Sequence, residues 1–354
     1  MKNNIEFKVY ITCLTFNHAP YIGEAMNGFS MQQTNFPFVC CIIDDASTDG
    51  EPEIIKKYLQ EHFDLEDKNI VRNEETDDYL MTFARHKENH NCFFAVYLLK
   101  YNHYSIKKGK PYGNAWTTNV KYKAICEGDD YWTSPEKLQL QVDFLEAHPE
   151  YSMCFHRVDV KVEMNRSEKP ENVFAFLKEG EYTRDDQLRI RRIVPTCSIL
   201  IRKDVLDHMP SHPKFTVGDV VIVATALTYG RMWCMGKDMG CYRLVENGWT
   251  SMSDLKMSES MFSHYQGMIE SFEWYQCREG YDFFKFWTFS LLKLLRDTRD
   301  SDKFEKVANE YKSFMGVDNL HEFWKFYYTR KVRKLLITIF GKKITKIGKL
   351  LFDK

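Results

Sequence analysis

The stretch "FVCCIIDDASTDGEPEIIKKYLQEHF", residues 38–63, decides the fold. Its first six residues are apolar without alternation, as expected of a strand covered on both faces in a parallel sheet. The polar run from Asp44 to Gly50 is a turn whose Thr48 and Asp49 can cap a helix. Ile54, Ile55, Tyr58, Leu59 and His62 then share one helical face. Upstream, "KVYITCL" (8–14) reads as a strand, and Tyr21, Ile22, Ala25, Met26 and Phe29 recur at helical spacing after "TFNHAP". Strand, helix, strand and helix with short loops form a βαβ unit, and such sheets bind ligands beyond the carboxyl ends of their strands.

The pattern continues outward. "YKAIC" (122–126) reads as another strand, and "SPEKLQLQVDFLEAHPE" (134–150) as a helix carrying Leu138, Val142 and Leu145, its proline suited to the first turn. Later come strand-like "MCFHRV" and "CSILIR", the helix-like "GDVVIVATALTYG", and two short strands around "RMWCM" and "GCYRL". From about residue 255 the periodicity is helical. The expected fold class is α/β, with a mainly parallel Rossmann-like sheet flanked by helices and a helical C-terminal extension. Residues 1–250 are expected to form one domain, with 73–119 as an irregular insertion; 251–354 form a helical region ending in a basic amphipathic tail.

"CEGDDYW" (126–132) crowds Glu127, Asp129 and Asp130 into four positions at the end of a strand. Carboxylates that close repel one another, and a hard divalent cation relieves the repulsion. Asp44 and Asp45 close another strand of the same sheet, so both acidic pairs should converge on one cleft. Mg²⁺ or Mn²⁺ bridging the phosphates of a nucleoside diphosphate is the ligand this pattern implies, with the metal as Lewis acid for the departing diphosphate.

Composition places the chain among globular proteins: 44% hydrophobic and 28% charged residues, with aromatics at 15%. The formal net charge of −1 conceals an asymmetry. Residues 325–354 hold ten bases against Asp353, about +9, leaving about −10 for the rest. Leu335, Leu336, Ile339, Phe340, Ile344, Ile347 and Leu351 alternate with those bases, as in a helix lying on an anionic membrane surface. No nucleic-acid-binding motif accompanies the charge. Neither a leader-like apolar segment nor a run of 18 uncharged apolar residues is present, and no CxxC pair occurs among the ten cysteines. A cytoplasmic protein, peripheral on the inner face of the plasma membrane, is the expectation.

"LTFNHAPYIGEAMNGFSMQ", "IIDDASTDG" and "CEGDDYWTSPEKLQLQVDFLEAHPEY" together resemble family 2 glycosyltransferases of GT-A fold, of the type that builds bacterial surface polysaccharides. The likeness runs over roughly residues 8–250, and 73–119 matches poorly. It implies an inverting, metal-dependent hexosyl- or N-acetylhexosaminyltransferase. The donor would be a nucleotide sugar, UDP-linked in the first instance, and the acceptor a saccharide or lipid-linked saccharide. Thr15, Phe16 and Asn17 would lie under the base, and Asp45 would accept from its N–H. Asp129 would sit near the ribose or metal, with Asp130 as metal ligand. Asp219, opening "GDVVIV", would be the catalytic base. "CYRLVENGWTS" resembles the segment returning Tyr and Arg to the cleft, with Val245 where a histidine is common. Arg191, Arg192, Thr196 and Ser198 could meet the diphosphate or acceptor. The alternatives are a sugar-nucleotide-binding protein without turnover and a nucleotidyltransferase, though "LTFNHAPY" is no glycine-rich phosphate loop.

Overall fold

The computed structural model describes residues 5–109, 111–163, 173–190, 194–246 and 253–340, with side chains to residue 330. The chain divides into two compact units, one of residues 1–211 with 218–251 and one of 212–217 with 252–354.

In chain order the first unit contains β1 (Val9–Thr15), α1 (Ile22–Ser30), β2 (Phe38–Asp44), α2 (Glu51–His62), β3 (Phe63–Asp64), β4 (Arg72–Glu75), β5 (Tyr79–His86), β6 (Cys92–Leu99), β7 (Tyr122–Ile125) and β8 (Tyr131–Trp132). It continues with α3 (Lys137–Ala147), β9 (Tyr151–Glu163), β10 (Gly180–Tyr182), α4 (Arg184–Ile190), β11 (Leu200–Arg202), α5 (Lys203–Leu206), α6 (Gly218–Tyr229) and β12 (Arg231–Val245). The strands form one sheet in the order β10-β12-β9-β11-β7-β1-β2-β6-β5-β3, with β4 beside β5 and β8 beside β12. Its centre is parallel: β7, β1, β2 and β6 run the same way, in registers that set Thr15 opposite Asp44 and Thr12 opposite Ile125. Every residue of β2 is buried, which is why its sequence carries no alternation.

Two expectations are corrected. The segment 73–119 is not an irregular insertion: β6 pairs along all seven residues of β2, and β5 and β4 extend the sheet from it. The stretches "RMWCM" and "GCYRL" are not separate strands either. They belong to β12, which runs parallel to β9 with register shifts around Gly236–Gly240.

A close approach locks α1 to β8. A Cβ on Gly28 would lie 2.8 Å from the Trp132 backbone nitrogen, so only glycine fits there. Trp132 is thereby buried edge-on to Phe29, its indole N–H donating to the Cys197 carbonyl at 2.7 Å.

The second unit contains α7 (Asp254–Ser271), α8 (Arg278–Asp297), α9 (Ser301–Met315) and α10 (His321–Phe340). Its core is aromatic: Phe262 stacks on Phe284, Phe284 meets Tyr311, and buried Phe323 at the start of α10 packs against Phe289. Asp300 caps α9 by accepting from the Lys303 N–H, and Gly316 ends it at φ 65°. Among the described residues no helix is long and apolar enough to cross a membrane.

Candidate active site

The carboxyl ends of β1, β2 and β7 are neighbours in the sheet, so the loops leaving them must meet. Backbone bonds draw them together: Asp45 N–H donates to the Thr15 carbonyl, and Gly128 N–H to the Leu14 carbonyl, both at 3.0 Å. Thr15 is the hub. Its hydroxyl donates to Glu51 and lies 3.2 Å from His18 Nδ1. A Cβ on Gly128 would sit 2.1 Å from Thr15 Oγ1, so the acidic turn approaches this closely only because residue 128 is glycine.

Glu51, fully buried at the start of α2, ties the first two loops together. It accepts from Thr15 Oγ1, from the His18 N–H at 2.8 Å and from Ser47 Oγ at 2.9 Å. Asn17, at φ 56°, donates its N–H to Ser47 Oγ and accepts from the Thr48 N–H. Asp49 accepts from the Ala19 and Glu51 N–H groups, while Ala46 is held at φ 62°, a left-handed conformation that non-glycine residues seldom adopt. Sequence reasoning passed over Glu51, which looks like an ordinary acid in a first helical turn. The signal that could have exposed it is Ser47 four residues upstream, a donor within reach of a first-turn carboxylate.

The expected nucleotide-side residues are at this edge. Thr15 is buried in the hub, Phe16 is 43% exposed and Asn17 is exposed. Asp45 is only 4% exposed, and its carboxylate already accepts from two backbone N–H groups, those of His103 at 2.8 Å and Tyr104 at 3.1 Å. The acceptor expected for a base N–H thus already carries one backbone hydrogen bond on each oxygen. Asp44, also buried, accepts from the Ser47 N–H at 3.3 Å. Burial pushes its carboxyl up to about 6, against the pull of the Ser47 hydrogen bonds.

The three acids of "EGDD" do not share one orientation. Glu127 is exposed and Asp129 half-buried, whereas Asp130 is 2% exposed. Asp130 Oδ1 accepts from the Arg243 backbone N–H at 2.7 Å, a contact into the protein. Burial holds its carboxyl well above the usual range, with the Asp129 charge adding to the effect. Asp130, expected as metal ligand, has one oxygen on the Arg243 N–H in this structure, while Glu127 is exposed and Asp129 half-buried.

Arg243 clasps that turn. Its guanidinium is fully buried, donates to the Asp129 carbonyl at 2.7 Å, pairs with Glu24 on α1, and lies over the Tyr131 and Tyr21 rings. Its ion-pair partners are Glu24 and, at 4.0 Å, Glu163. Val245, at the end of β12, is buried and apolar.

Asp219 opens α6. One oxygen accepts from the Val220 N–H at 2.8 Å and the other from the Thr196 hydroxyl at 3.1 Å. Thr196 begins the short turn whose Cys197 carbonyl receives the Trp132 indole, and the Cys197 thiol hydrogen-bonds with Asp130. A continuous set of contacts thus joins Asp219 to the acidic turn. Ser198 is buried and donates to the Pro195 carbonyl at 2.6 Å. Arg191 and Arg192 lie outside the described residues.

A divalent cation suits this edge in one form. Among the described residues no group of three His, Cys, Asp or Glu side chains could hold a metal. Asp129 and Glu127 would supply one or two hard oxygens, with phosphate oxygens and water completing the shell, as Mg²⁺ sites are commonly built.

Residues 11–80 match the family described as glycosyl transferase family 2. Proteins of Mycobacterium tuberculosis and Mycobacterium bovis, both called uncharacterized, are 31% identical to this chain over 203 residues, which is 57% of this chain and 49% of theirs. The chain thus spans about half the length of those relatives. Among solved structures, S. aureus TarS 1–349 in complex with UDP aligns at 16% identity and TM-score 0.48, over 82% of this chain and 71% of that one. A mannosyltransferase from Pyrobaculum calidifontis, in complex with GDP-Man and Mn²⁺, aligns at 12% identity and TM-score 0.48, over 96% and 89%.

Proposed function

From a chain whose residues 11–80 belong to glycosyl transferase family 2, within a GT-A sheet, we propose a glycosyltransferase that moves a sugar from a nucleoside diphosphate donor to a saccharide hydroxyl with inversion. The observation that carries this reading is the convergence of three strand-end loops on Thr15 and Glu51, with exposed Glu127 and half-buried Asp129 beside them. The Phe16–Asn17 side of the cleft would take the nucleoside. Asp129, with Glu127 next to it, would face the diphosphate through Mg²⁺ or Mn²⁺. When bound, that cation supplies charge neutralisation for the leaving diphosphate.

Asp219 would accept the proton of the acceptor hydroxyl as that oxygen attacks the anomeric carbon. Its hydrogen bonds from the Thr196 hydroxyl and the Val220 N–H fix the orientation of the carboxylate. Asp130 and Arg243 hold the turn that aims Asp129. A single displacement exchanges configuration at the anomeric carbon, so no covalent sugar–protein intermediate is required. Surface polysaccharide assembly, a UDP-linked hexose or N-acetylhexosamine, and a lipid-linked acceptor at an anionic membrane complete the proposal.

The test is a panel of UDP- and GDP-sugars, each incubated with and without Mn²⁺ and read by thermal shift and nucleoside diphosphate release. Metal-dependent stabilisation and release by at least one donor is the expected outcome. Pyrophosphate release instead would mark a nucleotidyltransferase, and binding without release a non-catalytic receptor.

A further inference from the structure

The segment 100–109 leaves β6 at the same sheet edge as the three site loops. It is a built structure. Lys108 N–H donates to the His103 carbonyl and Lys107 N–H to the Tyr104 carbonyl, with Lys107 held at φ 55°. Lys108 Nζ reaches Asp78 at 2.7 Å and the Tyr101 hydroxyl at 2.6 Å, tying the segment to the turn before β5. His103 is fully buried, its ring near Tyr101 and Tyr112 and its Nδ1 3.2 Å from the Tyr112 hydroxyl. Its Nε2 has no hydrogen-bond partner among the described residues.

Asp45 is where this segment meets the site. Both carboxylate oxygens accept from the segment's backbone, at His103 and Tyr104, and the Asp45 carbonyl accepts from Asn102 Nδ2 at 3.0 Å. Three bonds from three consecutive residues end on one residue of the "DDAS" turn. They leave the Tyr104 ring 78% exposed beside the end of β2, where burying so large an aromatic surface would be favourable if a flat ligand covered it.

We propose that Asp45 is a positioning residue that latches segment 100–109 to the cleft, and that Tyr104 supplies the aromatic wall for the donor's nucleoside. This rests on the nucleotide-sugar reading above. It goes beyond direct base reading by Asp45, since the same carboxylate holds two backbone N–H groups and so places a second residue beside the ligand. A stacking wall tolerates different bases, because each presents a π face.

Hydrogen exchange across residues 100–109, followed by mass spectrometry, reads the latch without any ligand. Asp45→Ala should speed exchange of the His103 and Tyr104 amides at least tenfold, and Asp45→Asn, which keeps one acceptor oxygen, should restore part of the protection. Unchanged exchange in both variants overturns the latch; if Asp45→Ala does not fold, Asp45→Asn alone decides, through partial loss of protection against none. UDP binding by calorimetry reads the wall. Tyr104→Ala should weaken UDP about tenfold, in line with the stacking worth of an aromatic ring, without altering exchange, and Tyr104→Phe should bind as wild type. Wild-type affinity in Tyr104→Ala overturns the wall, as does equal loss in Tyr104→Phe, which would make the hydroxyl the contact. If the unaltered protein binds neither UDP nor GDP with Mn²⁺ present, the transfer reading fails and the wall with it, while the exchange data still settle the latch.

Discussion

Arg243 holds Asp130 through its backbone and Asp129 through its side chain: the N–H reaches Asp130 Oδ1 and the guanidinium reaches the Asp129 carbonyl, each at 2.7 Å. One residue of β12 thereby sets which acid faces in and which faces out.

Two acids one position apart should therefore behave differently. Asp130→Ala strips the acceptor from a buried N–H and should lower stability by about 1–3 kcal/mol, with activity lost alongside. Asp130→Asn keeps an acceptor and removes a charge that burial disfavours, so it should melt at or above the wild-type temperature. Asp129→Ala should leave the melting temperature unchanged while removing the Mn²⁺-dependent shift and at least 10²-fold of kcat. Thermal shift and turnover on the three variants check this; a metal response surviving in Asp129→Ala returns the ligand role to another acid.

Asp219 stands at the start of α6 with its carboxylate on the Thr196 hydroxyl. Asp219→Asn keeps an oxygen for the Thr196 hydroxyl but cannot take a proton. It should cut kcat at least 10²-fold, the usual scale of general-base catalysis, with donor affinity little changed. Steady-state kinetics with donor binding measured separately distinguish this from a binding role, in which affinity would collapse and saturated kcat survive.

His264 gives the second unit a pH dependence. It is fully buried, and its Nδ1 accepts weakly from the Thr216 and Val217 N–H groups at 3.3 and 3.4 Å. Burial pushes its imidazole down from 6.5 to about 4. Between those values the unfolded chain binds the extra proton, so stability falls as pH drops from 6.5 toward 4 and is flat above 6.5. At 1.36 kcal/mol per unit the loss approaches about 3 kcal/mol. His156, fully buried on β9 and pushed down to about 3, acts in the same direction. The informative quantity is the difference between wild type and His264→Phe in urea unfolding at pH 5 and 7. That difference should shrink the pH effect, and an equal slope in both proteins rejects the assignment.

What the residues disclosed, and what they withheld, follows from range. β1, β2, β7 and the loops after them were legible because apolar runs and polar turns are local signals. β6 is as apolar as β2, yet "CFFAVYLL" lies between Asn- and Lys-rich flanks, and β4, which pairs with the intervening β5, has four exposed residues that show no pattern. Its parallel pairing with β2 depends on a partner some fifty residues away, which no local period encodes. β12 reads as two pieces because Gly236, Lys237 and Asp238 interrupt it, while the structure carries the strand through with register shifts. The orientation of Asp130 was illegible for the same reason: three acids in four positions do not say which one an arginine 113 residues later will turn inward.

The C-terminal tail is where sequence and structure divide the labour most clearly. Cutting after residue 324 would remove part of a packed helix, since Phe326 meets Phe289 and Arg296 lies over the Trp324 ring beside it. The first half of α10 is thus structural, and any membrane contact belongs to the residues beyond it. Lys342, Lys343, Lys346, Lys349 and Lys354, against Asp353, lie outside the described residues and carry a net charge of about +4. At about 1 kcal/mol per basic residue near an anionic surface, their loss should weaken vesicle binding at least tenfold. The full chain should sediment with phosphatidylserine-containing vesicles and release partly at 1 M salt, where screening shortens to roughly 3 Å. A chain ending at Phe340 should remain folded, bind donor as before and stay in the supernatant. Sedimentation with phosphatidylcholine vesicles alone, or undiminished binding after truncation, would show that charge in the tail is not what brings this protein to a membrane.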